Sequence, residues 1–320
     1  MRVLSDHPDA DARRLLRRFL ERMLRGTTVA DERVDRFFAI YEKAGELEED
    51  FTDSMIAAFA AVLCSSEFLF LDAEAGNLDD PALASRLSFF LWNGPPDHNL
   101  LTEVDLSKSS VLRRQTERLL NDPRSERFVE AFLDYWLDLR DINANAPDAE
   151  LYPDYYLDDM LTESSLLETR AFFTELLRND LSVRNLVDSD FVFVNERLAG
   201  HYGLPSFESV ALRKVSLPAE SPRGGLLTQA SVLRVTANGT TTSPVVRGVW
   251  MMERILGVDI PSPPSGVSAI EPDTRGATTI RKQLDKHRAV ESCAVCHKRI
   301  DPVGFALESF DVAECRNCRD

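Results

Sequence analysis

Apolar positions recur along most of this chain at helical spacing. Leu15, Leu16, Phe19, Leu20, Met23 and Leu24 share one face of a first predicted helix, arginines occupy the other face, and Gly26 ends it. Thr28-Val29-Ala30-Asp31 reads as a capping box for a second helix running through Val34, Phe37, Phe38 and Tyr41. A third, from Met55 to Leu69, is apolar nearly all round. That predicts a central place in a bundle, with Cys64 as a small buried residue inside it. After the break Gly76-Asn77-Leu78-Asp79, the pair Asp80-Pro81 predicts an N-cap and first-turn proline for a helix Ala82–Trp92, which stops at Asn93-Gly94-Pro95-Pro96. Asp122-Pro123 repeats the start signal before an amphipathic run with Phe128, Phe132, Tyr135, Trp136 and Leu139 on one face. Following a loop from Asp141 to Pro153, a long helix is predicted over Asp158–Arg178, with Leu166, Leu167, Phe173, Leu176 and Leu177 facing inward.

The texture changes near residue 190. Phe191-Val192-Phe193-Val194 follows turn residues and reads as a short strand, and Val210–Leu217 alternates like a second. Between them, Asn195–Tyr202 predicts a short helix. Arg223-Gly224-Gly225 is a tight loop before an apolar helix Leu226–Val232, and the polar stretch Thr236–Pro244 precedes a helix Val245–Leu256. Pro261, Pro263 and Pro264 form a stiff linker, and a helix Ile280–Val290 leads into the last segment. The fold class is therefore mainly α, with a few short strands after about residue 190. Three consecutive units are predicted: 1–75, 76–210 and 211–320, with no repeat of fixed period.

Composition narrows the function classes. The 320 residues carry a formal net charge of −16, which argues against nucleic acid or an anionic membrane surface as partner and suits a soluble protein or a cationic redox partner without choosing between them. No apolar run reaches the length of a membrane span. Glycine-rich phosphate loops, a nucleophile elbow and H-E-x-x-H are all absent from the sequence. Five cysteines are too few for a disulfide scaffold of this size, and four of them lie between residues 293 and 318.

Those four carry the candidate chemistry. Cys293-Ala-Val-Cys296-His297 has the C-x-x-C-H spacing at which two thiols bond the vinyl groups of a c-type haem and the adjacent histidine meets the iron as proximal ligand. Candidates for the distal position are His201, His287, Met251 and Met252; if none fills it, peroxidase-like or oxygen-using chemistry becomes open to the iron. A second C-x-x-C, Cys315 and Cys318, keeps another reading alive. Cys293, Cys296, Cys315 and Cys318 have the spacing of a structural four-cysteine zinc site, as in a helical interaction or scaffold protein.

The sequence after the motif, Ile300-Asp301-Pro302-Val303-Gly304-Phe305-Ala306-Leu307-Glu308-Ser309-Phe310-Asp311, resembles the haem-c segment of planctomycete-type multidomain cytochrome-c-like proteins, which are built from domains of unknown function. Arg223–Ser231 and Thr242–Gly248 resemble earlier motifs of the same segment. Leu83–Trp92 and Phe193–Gly203 resemble the domain before it, and residues 13–70 a helical domain before that. The resemblance implies haem c, a periplasmic or otherwise extracytoplasmic setting, a redox role such as electron transfer, and further domains in a longer chain. It names no reaction. Two features depart from the family pattern: family members are exported and carry further domains at one or both ends, whereas the start here is polar and acidic with no apolar h-region, and after Phe310-Asp311 the family usually continues without a second C-x-x-C.

Overall fold

The computed structural model describes residues 5–26, 29–47, 50–71, 76–144, 147–150, 152, 158–237, 243–261, 280–288 and 291–310; for residues 280, 283, 286, 287 and 291–293 it describes the backbone alone. The architecture is mainly α, with one two-stranded sheet. Two compact units divide between Phe128 and Val129.

In the first unit, α1 (Pro8–Met23), α2 (Asp31–Glu46) and α3 (Phe51–Leu63) pack as a bundle around Leu16, Leu20, Val34, Phe37, Phe38, Met55, Ala58 and Val62. The predicted apolar stripes of α1 and α2 are the buried faces, because a 3.6-residue period brings those positions to one side. Ala30 precedes α2 with no side-chain cap, and Thr28 of the predicted capping box lies outside the described residues. Two local expectations fail. The third predicted helix breaks after Leu63. Ser65 Oγ accepts from the Phe68 amide and starts a separate turn, α4 (Ser66–Leu69), and Ile56, Leu63 and Leu69 are exposed rather than central. Cys64, at the C-cap of α3, is exposed as well. Arg25 holds the broken end in place, its guanidinium donating to the carbonyls of Glu67, Phe68 and Phe70 at 2.8–2.9 Å.

α5 (Asp80–Trp92) begins one residue earlier than the Asp-Pro signal implies. Asp79 is the N-cap, accepting from the Ala82 amide. Asp80 instead accepts the backbone N–H groups of Asp105 and Leu106, each at 2.9 Å, tying in the loop beyond α6 (His98–Leu101). Asn93 closes α5 in the left-handed conformation, which asparagine tolerates better than most residues. Trp92 is buried and donates to the Leu119 carbonyl at the end of α7 (Ser109–Leu120). Arg124 stacks 3.4 Å from the Trp92 ring centroid.

α8 (Glu126–Trp136) spans the division between the units. Of its predicted inward aromatics Tyr135 is exposed, and Leu133 takes its place in the core. In the second unit α9 (Asp159–Arg178) is the central element, capped by Asp158 and packed against β1 (Phe191–Val194), α10 (Glu196–His201) and, further along the chain, α11 (Ala230–Val235). β1 pairs antiparallel with β2 (Arg213–Ser216), Phe191 opposite Ser216 and Val194 opposite Arg213. The inward face of α9 differs from the one predicted. Leu167 and Leu177 are exposed, while Ser164, Ser165, Glu168 and Thr169 are buried beside Leu161, Phe172 and Leu176.

The predicted Leu226–Val232 helix is a 3-10 turn, Leu226–Thr228, followed by α11. α12 (Pro244–Trp250) is shorter than predicted and continues as a π-turn, Met251–Ile255. α13 (Ile280–Arg288) leads to α14 (Glu291–Phe305). Pro263 and Pro264 of the predicted linker lie outside the described residues.

Candidate functional site

α14 carries the C-x-x-C-H motif. Cys293, Cys296 and His297 occupy positions i, i+3 and i+4, which share one helical face. The Cys296 thiol is free and half-buried; the Cys293 side chain lies outside the described set. One turn further on, Asp301 is completely buried, and its Oδ1 lies 2.9 Å from His297 Nδ1. A carboxylate oxygen at this distance favours the tautomer with the proton on Nδ1, which leaves the lone pair on Nε2. Arg288 of α13 approaches the other carboxylate oxygen, its Nε 3.6 Å from Oδ2.

α12 fixes the far half of α14. Ser243 Oγ accepts from the Val246 amide and Pro244 takes the first helical position, so α12 starts at a defined point. There the two helices touch through glycines. A Cβ on Gly248 would sit 2.8 Å from Ile300 Cγ2, and one on Gly304 would sit 2.6 Å from the Pro244 carbonyl carbon. Arg247, fully buried between these contacts, donates from Nη1 to the carbonyls of Leu307 (2.9 Å) and Phe310, and from Nη2 to that of Leu233 (3.4 Å). The Leu307 and Phe310 carbonyls lie beyond the C-terminal end of α14 and the Leu233 carbonyl in the last turn of α11, where helical donors run out, and the guanidinium supplies donors to both. The string Ile300-Asp301-Pro302-Val303-Gly304 thus has a physical reading. Ile300 and Gly304 meet α12, and Asp301 meets the motif histidine. Pro302 sits inside the helix and leaves the Lys298 carbonyl without its i+4 amide.

A second polar cluster lies among α9, α10 and the Arg223–Ser231 segment. Glu168 accepts from the Tyr202 hydroxyl at 2.5 Å, and that hydroxyl also accepts from the Ala230 amide at 2.8 Å. Thr169 Oγ1 lies 2.7 Å from Gln229 Oε1 and 2.6 Å from Ser231 Oγ. Arg223 is buried, donates to the Thr228 carbonyl, and lies 4.0 Å from the centroid of Tyr202. Gly225, with φ +69°, turns the chain where a Cβ would strike the Asn185 and Leu186 carbonyls. Burial pushes the Glu168 carboxyl up to about 8, despite the tyrosine hydrogen bond and the Arg223 charge. Burial likewise lowers His201 to about 3, with Arg223 and Arg197 acting in the same direction, so its imidazole is neutral.

Nothing in the apolar periodicity of the sequence marks this cluster. Ser164, Ser165, Glu168 and Thr169 form a polar stripe with helical period, and a search for an apolar face on α9 skips such a stripe.

Among the distal candidates, Met251 and Met252 belong to the π-turn that packs on α14; Met252 is buried and Met251 half-buried. Trp250, just before them, donates to the Leu137 carbonyl, and Arg254 pairs with Asp138 through two hydrogen bonds of 2.9 and 3.0 Å, so the turn is held at both ends. His201 is buried at the end of α10, 5.4 Å from Tyr202 between ring centroids. His287 is on α13, its side chain outside the described set, and Cys315 and Cys318 lie outside the described residues altogether. Among the described residues no group of three or more His, Cys, Asp or Glu side chains is arranged to hold a metal ion.

Three family models match the chain in succession. Residues 11–72 match a protein of unknown function (DUF1595), residues 78–204 another (DUF1592), and residues 223–317 a third (DUF1588). These are the domains of planctomycete-type cytochrome-c-like proteins. The chain belongs to that multidomain family. The DUF1588 match spans Cys293, Cys296 and His297 together with α12 and its buttressing residues. The family descriptions state no activity. No curated protein and no solved structure matches the chain. Among the described residues, no helix is long and apolar enough to cross a membrane.

Proposed function

We propose that this protein binds haem c covalently through Cys293 and Cys296, with His297 as proximal ligand, and serves as an extracytoplasmic redox protein. The observation that carries the reading is the hydrogen bond from His297 Nδ1 to the buried Asp301. Metal-bound histidines characteristically donate their second ring nitrogen to a carboxylate or carbonyl, which fixes the tautomer and the ring plane. Here that partner exists one helical turn away, and Nε2 is the atom that would face iron. The two cysteines at i and i+3 on the same helix fit attachment along one edge of a porphyrin.

Bound there, haem would supply one-electron chemistry. The chain's own part is to hold it: the thiols tether it, His297 orients to it, and α12 with Arg247 keeps the supporting helix rigid. For the distal position Met251, Met252 and His287 are the stronger candidates, because the Met251–Ile255 turn and α13 both pack on α14, ahead of His201 in its own polar cluster. The net charge of −16 suits a positively charged redox partner. A family of multidomain chains and a haem assembled outside the cytosol together support an extracytoplasmic location.

Export in a host with covalent-haem maturation machinery, followed by a denaturing gel stained for haem, tests attachment. The stain is retained in the parent chain and lost when Cys293 and Cys296 are both changed to Ser. Separate substitutions of Met251, Met252, His201 and His287 then locate the distal ligand by the shift of the Soret and charge-transfer bands. A chain that matures without covalent haem contradicts the proposal.

A further inference from the structure

We propose that Asp301 is a positioning residue that lowers the reduction potential of the iron held by His297, making this a low-potential site that favours the ferric state; this rests on the haem reading above. Three observations support it. First, the partner of His297 Nδ1 is a carboxylate, where a backbone carbonyl would hold the ring equally well. Asp301 is completely buried, so the interaction is little screened by water. A carboxylate accepting from Nδ1–H gives the imidazole part of the character of imidazolate. The lone pair on Nε2 becomes a stronger donor, and a stronger donor stabilises ferric over ferrous iron.

Second, the carboxylate has nowhere to retreat. It lies between Ile300, which packs on Gly248, and Gly304, which packs on Pro244. Both neighbours are held against α12 by close backbone contact, so the Asp301 backbone is fixed from two sides. The His297–Asp301 geometry is therefore built in by the helix crossing.

Third, Arg288, which also pairs with Asp285 on its own helix, is placed to offset part of this charge. Its Nε stands 3.6 Å from Oδ2, beyond normal hydrogen-bond length, and its side chain is 29% exposed. The balance between Asp301 and Arg288 sets the donor strength of His297. The two residues should shift the iron in opposite directions, a signature that a purely structural role would not produce.

The test is a spectroelectrochemical titration of the matured, full-length chain and of Asp301→Asn, Asp301→Glu and Arg288→Gln. Asp301→Asn keeps the shape and removes the charge. It should shift the ferric/ferrous equilibrium at least tenfold toward ferrous, about 59 mV upward for one electron. Asp301→Glu should return most of that shift, and Arg288→Gln should move the potential downward. Haem content is read on the same samples. A parent chain with no covalent haem overturns the haem reading and this inference with it. Covalent haem in the parent chain, with a potential unmoved by Asp301→Asn, overturns this inference alone. If Asp301→Asn does not accumulate, Arg288→Gln decides, since Arg288 lies near the surface: an unchanged or raised potential there refutes the proposal.

Discussion

Gly304 of α14 lies so close to Pro244 of α12 that a Cβ on the glycine would sit 2.6 Å from the proline's carbonyl carbon and closer still to its oxygen. Neither side can yield cheaply, because the atoms met are backbone atoms at the fixed start of a helix. Gly304→Ala should therefore cost about 1–3 kcal/mol or more of stability, and covalent haem incorporation should fall with it, because the crossing that holds α14 is lost. Urea unfolding and the haem-to-protein ratio measure the two effects. Gly200, where a Cβ would meet nothing within 4 Å, is the control: Gly200→Ala should be nearly silent in both.

Arg247 predicts a graded series. Its guanidinium serves the carbonyls of Leu307, Phe310 and Leu233 at once. Arg247→Ala leaves those buried carbonyls short of donors and should cost about 3 kcal/mol. Arg247→Lys keeps the charge but not the planar fork, and should fall between parent and alanine variant. Equal denaturation midpoints for lysine variant and parent would show that the charge alone matters and that the fork does not.

The Glu168–Tyr202 pair predicts a pH dependence of stability. Burial raises the Glu168 carboxyl from its ordinary 4.5 to about 8. Between those values the folded chain holds a proton that the unfolded chain has released. Its contribution is therefore fully present below about 4.5 and lost as pH rises through about 8. His201 runs the other way. Burial holds it neutral down to about 3 against an ordinary 6.5, so its contribution is present above 6.5 and lost as pH falls toward 3. Between 6.5 and 8 Glu168 alone of the two changes stability, by a few kcal/mol in order of magnitude. Thermal unfolding at pH 6 and pH 9 should show the parent losing stability with rising pH and Glu168→Gln losing much less. Parallel losses in the two proteins would remove Glu168 from the explanation.

How far these features were legible in the sequence depends on what each residue answers to. The faces of α1 and α2 and the two strands follow from local periodicity, and they were legible; the pairing of the strands was not. The break after Leu63 was not, because the polar Ser65-Ser66-Glu67 is short enough to pass as one exposed turn of a continuous helix. The buried face of α9 was misread because its inward residues are polar, paired with Tyr202, Gln229 and Ser231 from segments far along the chain. At the candidate site, the motif and the residues after it were visible as a string. That Asp301 serves His297, and that Gly248, Arg247 and Gly304 form one crossing, depends on two helices meeting, and no spacing within either motif reveals it.

The central claim is that Cys293, Cys296 and His297 hold a haem. The most direct measurement is a pyridine haemochrome spectrum, with a bound-metal assay, on chain exported through haem-maturation machinery. The expected result is a c-type haemochrome with about one iron per chain, abolished by changing Cys293 and Cys296 to Ser. Bound zinc near one per chain with no covalent haem, the pattern of a four-cysteine site completed by Cys315 and Cys318, would contradict it.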